Sequence, residues 1–533
     1  MRRSIPWVRR IGDLASAAVV FHRAGLVDVW AVRTLLAVRR WGPIAGGVRI
    51  AGARAPDEVA IVDDRGAVTF GELDRRSDAL AEAWSGRGIG ADDCIGVLCR
   101  NHRGLVESLA AGAKLGARLV LMNTGTAGPE AAAIVDAERV TILVHDEEFT
   151  AAVAGTGVAR FVAWAGSAAR TGPATSVDEL ISSAPVRRRR PPRVPSEIVL
   201  LTSGTTGRSK GAPRRVRSAF VATQLLERVP LRAGERTAIA VPLFYGAGFF
   251  MLSLSLALRC PIVLRRRFEA DTLLRDAVGC TAIVAVPTMV RRMLAAEATA
   301  AYGLPALRVL LVSGEPLTTE LGNRARERFG DVVHNLYGSI EVGAAAIATP
   351  ADWRAAPGTV GRPPRGCLVK ILDADDRPVR SPGAIGRVFA GSTLRIDRYT
   401  DGRGRAVVDG LMCTGDLGHF DADGRLFVDG RADDMIISGG ENVFPAEVED
   451  VLDRHPLIQE SVVTGIDDPD FGSRLRAFVV AAPGAALTGD DVRRHVRANL
   501  ARYKVPRDVV FVSAVPRNAA GKPLRGRLAA TSR

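Results

Sequence analysis

The 533-residue chain contains very little lysine. Only five of its 72 basic side chains are lysines, and the others are arginines; the lysines are Lys114, Lys210, Lys370, Lys504 and Lys522. A formal net charge of +14 is of the kind that attracts phosphate backbones. The arginines are scattered, however, and no aromatic stripe alternates with them as on a single-strand binding platform. We therefore expect no nucleic-acid partner, and the excess charge favours anionic small molecules or an anionic membrane surface.

Cysteine chemistry is also poorly represented. The six cysteines form no CxxC pair and no cysteine–histidine cluster at zinc spacing. We expect most of them to be small buried apolar side chains in a reducing cytoplasm. The N-terminal arginines and short apolar run imitate an export signal, but they lack a clear small-residue cleavage site, so export is not expected.

Charged residues are absent from one long stretch, which runs from Thr237 to Leu258. Its length would span a bilayer. Pro242, Gly246 and Gly248 interrupt the stretch, and such residues break helices. The pattern predicts a buried strand up to Val241, a loop, and a core helix from near Phe249 rather than a membrane span.

The alternation of short β-rich runs with amphipathic helical stretches predicts an α/β fold with parallel sheets. We expect a large N-terminal domain over 51–432, made of stacked α/β subdomains plus a strand-rich subdomain, and a small α+β C-terminal domain over 433–533. Residues 1–50 form a basic helical preface. Two interpretations of residues 1–45 stay open, a helix packed on the main body and an interfacial helix resting on anionic lipid.

The stretch "TSGTTGRSKG", from Thr202 to Gly211, combines hydroxyls, glycines and a lysine behind an apolar run. Glycines allow close backbone approach to a phosphate, and Lys210 adds positive charge. The spacing is not that of a Walker A loop, since two residues rather than four separate Gly204 from Gly207. By itself the stretch fits a phosphate-binding loop and a flexible polar loop equally well.

Six further motifs follow in a fixed order. They are "VPLFYGAG" (from Val241), "VSGEPL" (from Val312), "NLYGSIE" (from Asn335), "CTGDLG" (from Cys413), "GRADDMIISGGENVFPAEVE" (from Gly430) and "PRNAAGKPLR" (from Pro516). Together with the first stretch they closely resemble the adenylate-forming superfamily of acyl-CoA synthetases, adenylation domains and luciferases. The resemblance covers nearly everything from about residue 50 onward. It implies that a carboxylic acid reacts with MgATP to give an acyl-adenylate and pyrophosphate. A thiol, usually that of coenzyme A, would then displace AMP.

The resemblance also implies roles for single residues. The β- and γ-phosphates would be held by Thr202, Ser203, Gly204, Thr205, Thr206, Gly207 and Lys210. The adenosine would be held by Tyr337, stacked on adenine, by Gly314, Glu315 and Pro316 around the base, by Asn335 and Gly338 of the same motif, and by Asp416 and Arg431 at the ribose. Glu341 would bind Mg²⁺, a cation that prefers oxygen ligands. Phe244, Tyr245, Gly246 and Gly248 would border the acyl pocket.

In the C-terminal segment the resemblance implies a moving catalytic lysine. Lys522 would neutralise the charge that the substrate carboxylate and the α-phosphate share in the transition state. Asp433 would be the hinge about which a mobile C-terminal domain swings between an adenylating and a thioester-forming pose. Gly439 and Gly440 would leave room for the pantetheine arm of coenzyme A.

Two residues depart from the common pattern of the superfamily. Tyr245 replaces a frequent histidine, and Ile340 replaces a threonine whose hydroxyl reaches the α-phosphate, a contact that isoleucine cannot make. The apolar residues around the acyl motif and a resemblance to actinobacterial fatty-acyl-CoA synthetases favour a medium- to long-chain fatty acid. The open alternatives are a fatty-acid–CoA ligase, a fatty-acyl-AMP ligase that serves a carrier protein, and a non-catalytic acyl- or nucleotide-binding protein. Either a monomer or a homodimer is compatible with the sequence.

Overall fold

A computed structural model describes residues 18–26, 29–166, 175–203, 209–216, 221–438, 441–468, 472–518 and 521–530. Its strands, in chain order, are β1 (Val59–Asp63), β2 (Gly66–Thr69), β3 (Cys94–Leu98), β4 (Arg118–Leu121), β5 (Ile142–Asp146), β6 (Ala159–Trp164), β7 (Ile198–Ser203), β8 (Ser209–Arg214), β9 (Thr237–Ile239), β10 (Ile262–Val263), β11 (Ala282–Ala285), β12 (Val309–Ser313), β13 (Val333–Ser339), β14 (Gly343–Ala348), β15 (Leu368–Leu372), β16 (Gly386–Gly391), β17 (Val407–Val408), β18 (Leu411–Phe420), β19 (Leu426–Arg431), β20 (Ile436–Ser438), β21 (Glu441–Val443), β22 (Ile458–Asp468), β23 (Gly472–Ala481) and β24 (Asp508–Phe511).

The α-helices are Val29–Trp41, Pro43–Arg54, Phe70–Ser85, Arg103–Leu115, Gly128–Ala137, Thr150–Val153, Val177–Ser183, Val221–Leu226, Gly246–Ala257, Ala270–Asp276, Pro287–Ala295, Ala298–Ala301, Thr319–Phe329, Pro350–Ala355, Pro445–Asp453, Gly489–Asn499 and Arg525–Ala530. Residues 18–23 are also helical. Short 3₁₀ turns cover Glu147–Phe149, Ala154–Thr156 and Arg502–Lys504.

Two mainly parallel sheets form the large domain. The first has the order β14-β13-β12-β11-β9-β10-β1-β2, and the second has the order β6-β5-β3-β4-β7-β8. The outermost pairs β13–β14, β1–β2 and β7–β8 are antiparallel, and the fourth outermost pair, β5–β6, is parallel like the inner pairs. The largest apolar cluster draws residues from both sheets and from the helices between them, such as Ile61, Ile95 and Leu252. The fold class predicted from the alternating pattern, a mixed α/β fold with large and small domains, is therefore confirmed.

Local sequence explains individual helix ends. The helix Phe70–Ser85 begins at Thr69, whose hydroxyl accepts a hydrogen bond from the Glu72 N–H at 3.2 Å while the Glu72 carboxylate accepts from the Thr69 N–H at 2.9 Å. This reciprocal cap satisfies two N–H groups that the helix leaves unpaired. At the other end of the next helix, Gly116 adopts φ 81°, a left-handed conformation that suits glycine and stops the helix before β4.

Two further sheets complete the chain. A strand-rich unit has the order β15-β16-β18-β17, with β19 paired to β18, and all of these pairs are antiparallel. The hairpin β18–β19 turns at Gly424, whose φ of 76° is the left-handed conformation that an Asp–Gly turn supplies. The C-terminal sheet has the order β21-β20-β23-β22, with β24 parallel to β23, and helices pack on it as expected for a small α+β domain.

The uncharged stretch folds as a strand, a loop and a helix. Strand β9 ends at Ile239 and the helix begins at Gly246, so the strand is two residues shorter and the helix three residues longer than predicted. Tyr245 is extended and precedes the helix, and the loop contains Pro242, which has no N–H for a sheet. Within the described ranges, no helix is both long and apolar enough to cross a bilayer.

The preface enters the core through its second half. The helix Pro43–Arg54 crosses residue 50, and Ile44, Ala45 and Val48 on it are fully buried. The preceding helix Val29–Trp41 packs on it and buries Thr34, Val38 and Trp41. Residues 1–17 lie outside the described part of the chain.

Candidate active site

The candidate site lies where parallel strands of the first sheet end. Gly314, Glu315 and Pro316 follow directly after β12, and Asn335, Tyr337 and Gly338 belong to the neighbouring β13. Ligands of open α/β sheets bind outside the carboxyl ends of such strands. Gly314 has φ +98°, and a Cβ at Gly338 would lie 2.1 Å from the Gly343 carbonyl oxygen. Both glycines are thus required by the backbone that shapes this edge.

Tyr337 and Asp416 are joined directly. The Tyr337 hydroxyl donates a hydrogen bond to Asp416 Oδ2 at 2.5 Å, and Arg431 Nη1 donates to Asp416 Oδ1 at 3.4 Å. Arg431 also donates to the Thr414 carbonyl at 3.3 Å and to Asp433 at 3.1 Å. Burial, together with the adjacent Asp416 carboxylate, raises the pKa of Tyr337 well above its usual range. The predicted adenine, ribose and hinge residues therefore form one connected group.

Glu341 lies in a buried polar cluster and is only 4% exposed. Its Oε1 accepts a hydrogen bond from the Tyr399 hydroxyl at 2.6 Å, and Arg405 Nη2 lies 3.4 Å from the same oxygen. Burial works to raise the pKa of Glu341, but the Tyr399 hydrogen bond and the Arg405 charge hold it below its usual value. The carboxylate is accordingly ionised at neutral pH.

Sequence reasoning missed Tyr399 and Arg405. Arg405 donates to the Tyr399 hydroxyl at 3.2 Å and to the Thr414 carbonyl at 2.7 Å, so it connects the Glu341 group to the Asp416 strand. The segment "RYTDGRGR" that contains both residues carries three arginines and two glycines, but nothing in its spacing names a partner. Only the fold brings these residues next to Glu341.

Lys210 reaches the same cluster from the second sheet. It lies on β8 opposite Thr202, and its amine is 5.6 Å from the centre of the Tyr399 ring. The Thr202 hydroxyl donates to the Lys210 carbonyl at 3.3 Å. Of the other predicted phosphate-loop residues, Ser203 is described only by its backbone pairing to Ser209, and Gly204, Thr205, Thr206 and Gly207 lie outside the described residues.

The donor set around Glu341 fits one position of a magnesium site. The Glu341 side chain offers a carboxylate, and its neighbours in the described part of the chain, the Tyr399 hydroxyl and the Arg405 guanidinium, include no imidazole or thiolate that would favour another metal. Mg²⁺ is typically held by one or two carboxylates, substrate phosphates and water. The positive charge of Arg405 opposes a cation bound at Glu341, whereas it would attract the phosphates that accompany Mg²⁺.

The residues predicted for the acyl pocket divide into two groups. Phe244 is 4% exposed in the main core, and a Cβ at Gly248 would lie 2.3 Å from the Pro242 carbonyl oxygen, so both lie inside the packing of the helix start. Tyr245 and Gly246 are half-buried, and Asn123 donates to the Tyr245 hydroxyl at 3.4 Å. The space beside Gly246 is filled by Ile340, whose Cγ1 lies 3.5 Å from the position a Cβ would take.

The C-terminal domain docks with its lysine turn on the large domain. A Cβ at Gly521, the residue before Lys522, would lie 3.0 Å from Glu315 Oε1 and 2.9 Å from Thr288 Oγ1. Burial raises the pKa of Glu315 to about 7, against the opposing charges of Arg517 and Lys522. Lys522 is thus placed at the edge that carries Glu315, whereas Gly439 and Gly440 lie outside the described residues.

A separate buried cluster combines Cys99, His102 and Asp146. Their ligand atoms lie within 4.8 Å of one another, because Asp146 at the end of β5 meets the segment that follows β3. The Asp146 carboxylate accepts hydrogen bonds from His102 Nε2 at 2.7 Å and from the Arg100 N–H at 3.0 Å. Burial raises the pKa of the Cys99 thiol well above its usual value, so the thiolate that binds a metal is disfavoured. We assign this cluster a structural role in joining two loops.

Family models match most of the chain. The model described as AMP-binding enzyme matches residues 48–398, and the model described as AMP-binding enzyme C-terminal domain matches residues 447–522.

Proteins of similar sequence act on different acids. The chain is 31% identical over 498 residues to the fatty acid–[acyl-carrier-protein] ligase ScoC of Streptomyces coeruleorubidus, a match that covers 89% of this chain and 93% of that protein. It is 32% identical over 490 residues to indoleacetate–CoA ligase of Aromatoleum aromaticum, covering 88% and 94%.

Solved structures share the whole fold. One is o-succinylbenzoate CoA synthetase (MenE) from Bacillus subtilis in complex with the acyl-adenylate intermediate, with a TM-score of 0.78, 27% identity and coverage of 90% of this chain and 97% of that chain. Another is the amide bond synthetase McbA from Marinactinospora thermotolerans, with a TM-score of 0.80, 27% identity and coverage of 92% and 100%.

Proposed function

Because the chain belongs to the AMP-binding enzyme family, we propose that it activates a medium- to long-chain fatty acid as an acyl-adenylate and transfers the acyl group to coenzyme A. The general reaction, adenylation of an acyl or aryl acid followed by thioester formation, is what the family and the relatives support. The observation that carries the proposal in this chain is the position of the Lys522 turn against Glu315 and Thr288.

The proposed nucleotide site follows the connected side chains. Lys210 would meet the β- and γ-phosphates, Tyr337 would stack on adenine, and Asp416 with Arg431 would hold the ribose. Glu341 would hold Mg²⁺, which supplies charge neutralisation of the phosphates. For the ribose to bind, the Asp416 carboxylate exchanges the Tyr337 hydroxyl for ribose hydroxyls.

The proposed chemistry has two balanced steps. In the first, an oxygen of the fatty-acid carboxylate bonds to the α-phosphorus while the bond from that phosphorus to the bridging oxygen breaks, and pyrophosphate leaves. Lys522 stabilises the charge shared by these anions. In the second, the thiol sulfur bonds to the acyl carbon, AMP leaves with the electron pair of the acyl–oxygen bond, and the thiol proton passes to solvent.

The proposed substrate rests on the apolar surroundings of the acyl motif. The helix Gly246–Ala257 has no charged residue, and Ile340 presents its side chain to Gly246 where the helix begins. An apolar acid is accommodated at such a surface without leaving a charge unpaired. The similarity to a fatty acid–[acyl-carrier-protein] ligase favours a second candidate, in which the acceptor is a carrier-protein thiol.

Membrane contact through the preface is a further proposal about partners. Three apolar side chains of the helix Val29–Trp41 are exposed, Val29 (61%), Val32 (57%) and Leu36 (44%), and the exposed residues beside them are arginines. Co-sedimentation with vesicles of anionic lipid tests this, since Val32→Asp is expected to lower the bound fraction and Val278→Asp, at an exposed apolar site elsewhere, is not.

Pyrophosphate release with a panel of fatty and aryl acids tests the reaction itself. We expect release with MgATP and fatty acids of medium to long chain, and thioester on addition of coenzyme A. Release without thioester formation would favour the carrier-protein acceptor. Absence of release with every acid, despite measurable ATP binding, would leave the non-catalytic alternative.

A further inference from the structure

Three groups converge on the guanidinium of Arg517. Its Nη2 donates to Glu460 Oε1 of strand β22, and its Nη1 donates to the Gly521 carbonyl of its own turn. Nη1 also lies 3.5 Å from Glu315 Oε1 on the large domain. The side chains of Arg517 and Glu315 are only 16% and 7% exposed, so this contact is shielded from solvent. Arg517 therefore connects the C-terminal sheet, the lysine turn and the large domain.

The turn that carries Lys522 is closed on itself. The Asn518 N–H donates to the Lys522 carbonyl, and Asn518 Oδ1 accepts from the Lys522 N–H, both at 2.9 Å. Gly521 within it has φ +85° and packs so closely on Glu315 that a Cβ there would lie 3.0 Å from the carboxylate oxygen. The described ends of the turn are thus joined by two hydrogen bonds, and the contacts of Gly521 with Arg517 and Glu315 hold it against the large domain.

We propose that Arg517 and Glu315 together form a latch that positions Lys522 for the adenylation step and for no other step. The proposal rests on the proposed function and deepens it. Arg517 acts through Lys522, so it is a positioning residue. Glu315, which borders the base pocket, is the residue of the large domain to which Arg517 binds. A lysine held about 1 Å out of place loses much of its effect on the transition state. In a pose with the C-terminal domain turned away, the pair is broken and thioester formation does not use it.

A second contact between the large domain and the C-terminal domain provides a matched control. Arg291 of the large domain bonds to Asp453 at 3.1 Å and donates to the Gln459 carbonyl at 2.8 Å. It also pairs an arginine with a carboxylate between the two domains, but it does not touch the lysine turn. Arg291→Gln therefore weakens docking in general and removes none of the three contacts of Arg517, and its charge is the weakest of those named that act on Glu315.

Single-turnover measurements of the two half-reactions test the latch. We expect Arg517→Gln to slow acyl-adenylate formation at least tenfold while thioester formation from supplied acyl-AMP and coenzyme A changes less than twofold. Glu315→Gln is expected to slow acyl-adenylate formation at least tenfold as well, and it is compared in this half-reaction alone because Glu315 also borders the base pocket. The double variant is expected to be no more than twofold slower than the slower single variant, because the two residues act as one unit. Arg517→Lys, which keeps the charge but loses the fork of donors, is expected to fall between wild type and Arg517→Gln.

Hydrogen exchange of the turn gives a readout that needs no catalysis. We expect the Lys522 amide to exchange at least tenfold faster in Arg517→Gln and Glu315→Gln, and less than twofold faster in Arg291→Gln. The latch is overturned if Arg291→Gln matches Arg517→Gln in either assay, if the half-reactions fall equally, or if the single effects add. A wild-type protein that adenylates no acid would refute the proposed function alone, since exchange still decides the latch.

Discussion

The Tyr337 hydroxyl donates a 2.5 Å hydrogen bond to the carboxylate of Asp416. The aromatic residue proposed to stack on adenine and the carboxylate proposed to bind the ribose are thus hydrogen-bonded to each other. In the proposed complex a ribose hydroxyl would replace the phenol as donor to Asp416, so we expect the phenol contact to contribute little to the net affinity for nucleotide.

Variants of this pair separate stacking from ribose binding. We expect Tyr337→Phe to change the KM for ATP less than about threefold, because the ring remains, and Asp416→Asn to raise it about tenfold or more. Steady-state kinetics at saturating acid measure both. A Tyr337→Phe enzyme as impaired as Asp416→Asn would show that the phenol–carboxylate bond, rather than the free carboxylate, is what binding requires.

Replacement of the proposed catalytic lysine should separate the two half-reactions. Lys522→Ala is expected to slow acyl-adenylate formation about 10²- to 10³-fold, the usual effect of removing one transition-state contact. Thioester formation from supplied acyl-AMP should be largely kept. Lys504→Ala is the matched control, since Lys504 pairs with Glu447 inside the same domain; equal losses in both variants would exclude a specific role for Lys522.

The adenylation step should depend on the ionisation of Glu315. Burial raises its pKa to about 7, while Arg517, Lys522 and Arg291 lower it and Glu460 raises it. The carboxylate that pairs with Arg517 forms as the pH rises through about 7, so adenylation by wild type relative to Glu315→Gln should rise over the same interval. Because the folded-state pKa is raised, this group's contribution to stability changes in the opposite direction, and is lost as the pH rises towards 7.

The effect is measured as the ratio of the wild-type to the Glu315→Gln adenylation rate at each pH, because the ionisation of the substrates affects both enzymes equally and cancels in the ratio. A flat ratio from pH 6 to 8 would contradict the prediction.

We expect Ile340 to strengthen binding of the fatty acid and to lower kcat. We expect Ile340→Thr to raise the KM for fatty acids about tenfold, because the side chain loses an apolar contact at Gly246, and to raise kcat, because the hydroxyl can reach a phosphate. Ile340→Val has the same shape as threonine without the hydroxyl and serves as the control. A kcat that is the same in the two variants would show that the hydroxyl has no part in adenylation.

Lys114 should be a stability residue rather than a site residue. It is 1% exposed, and its amine contacts Asp74 at 2.8 Å and Asp78 at 2.9 Å, beside Arg49. Lys114→Met leaves two carboxylates against a single guanidinium, so we expect a loss of about 3–5 kcal/mol in the unfolding free energy of the large domain. Urea unfolding followed by tryptophan fluorescence measures the loss. Arg187→Met, at an exposed contact to Glu82, should change stability by less than about 0.5 kcal/mol.

The sequence by itself determined the fold class and the order of the site motifs. Local patterns suffice for this, since a short apolar run such as "CIGVL" by itself indicates a buried strand, and β3 is buried along its whole length. In the uncharged stretch, Pro242 and Gly246 correctly predicted a break between a strand and a helix. The observed strand end and helix start differ from the predicted ones by two and three residues, because hydrogen bonding at the ends of such elements depends on packing.

Only the tertiary structure decided which side chains meet. Tyr399 and Glu341 are 58 positions apart in the sequence, and Arg517 and Glu315 are 202 positions apart. Neither contact can therefore be predicted from the spacing of neighbouring residues. The net shift in the pKa of Glu315 likewise depends on burial and on charges far away in the sequence, such as that of Arg517. Sequence fixes propensities over a few residues, whereas contact geometry, desolvation and charge pairing arise when distant segments pack together.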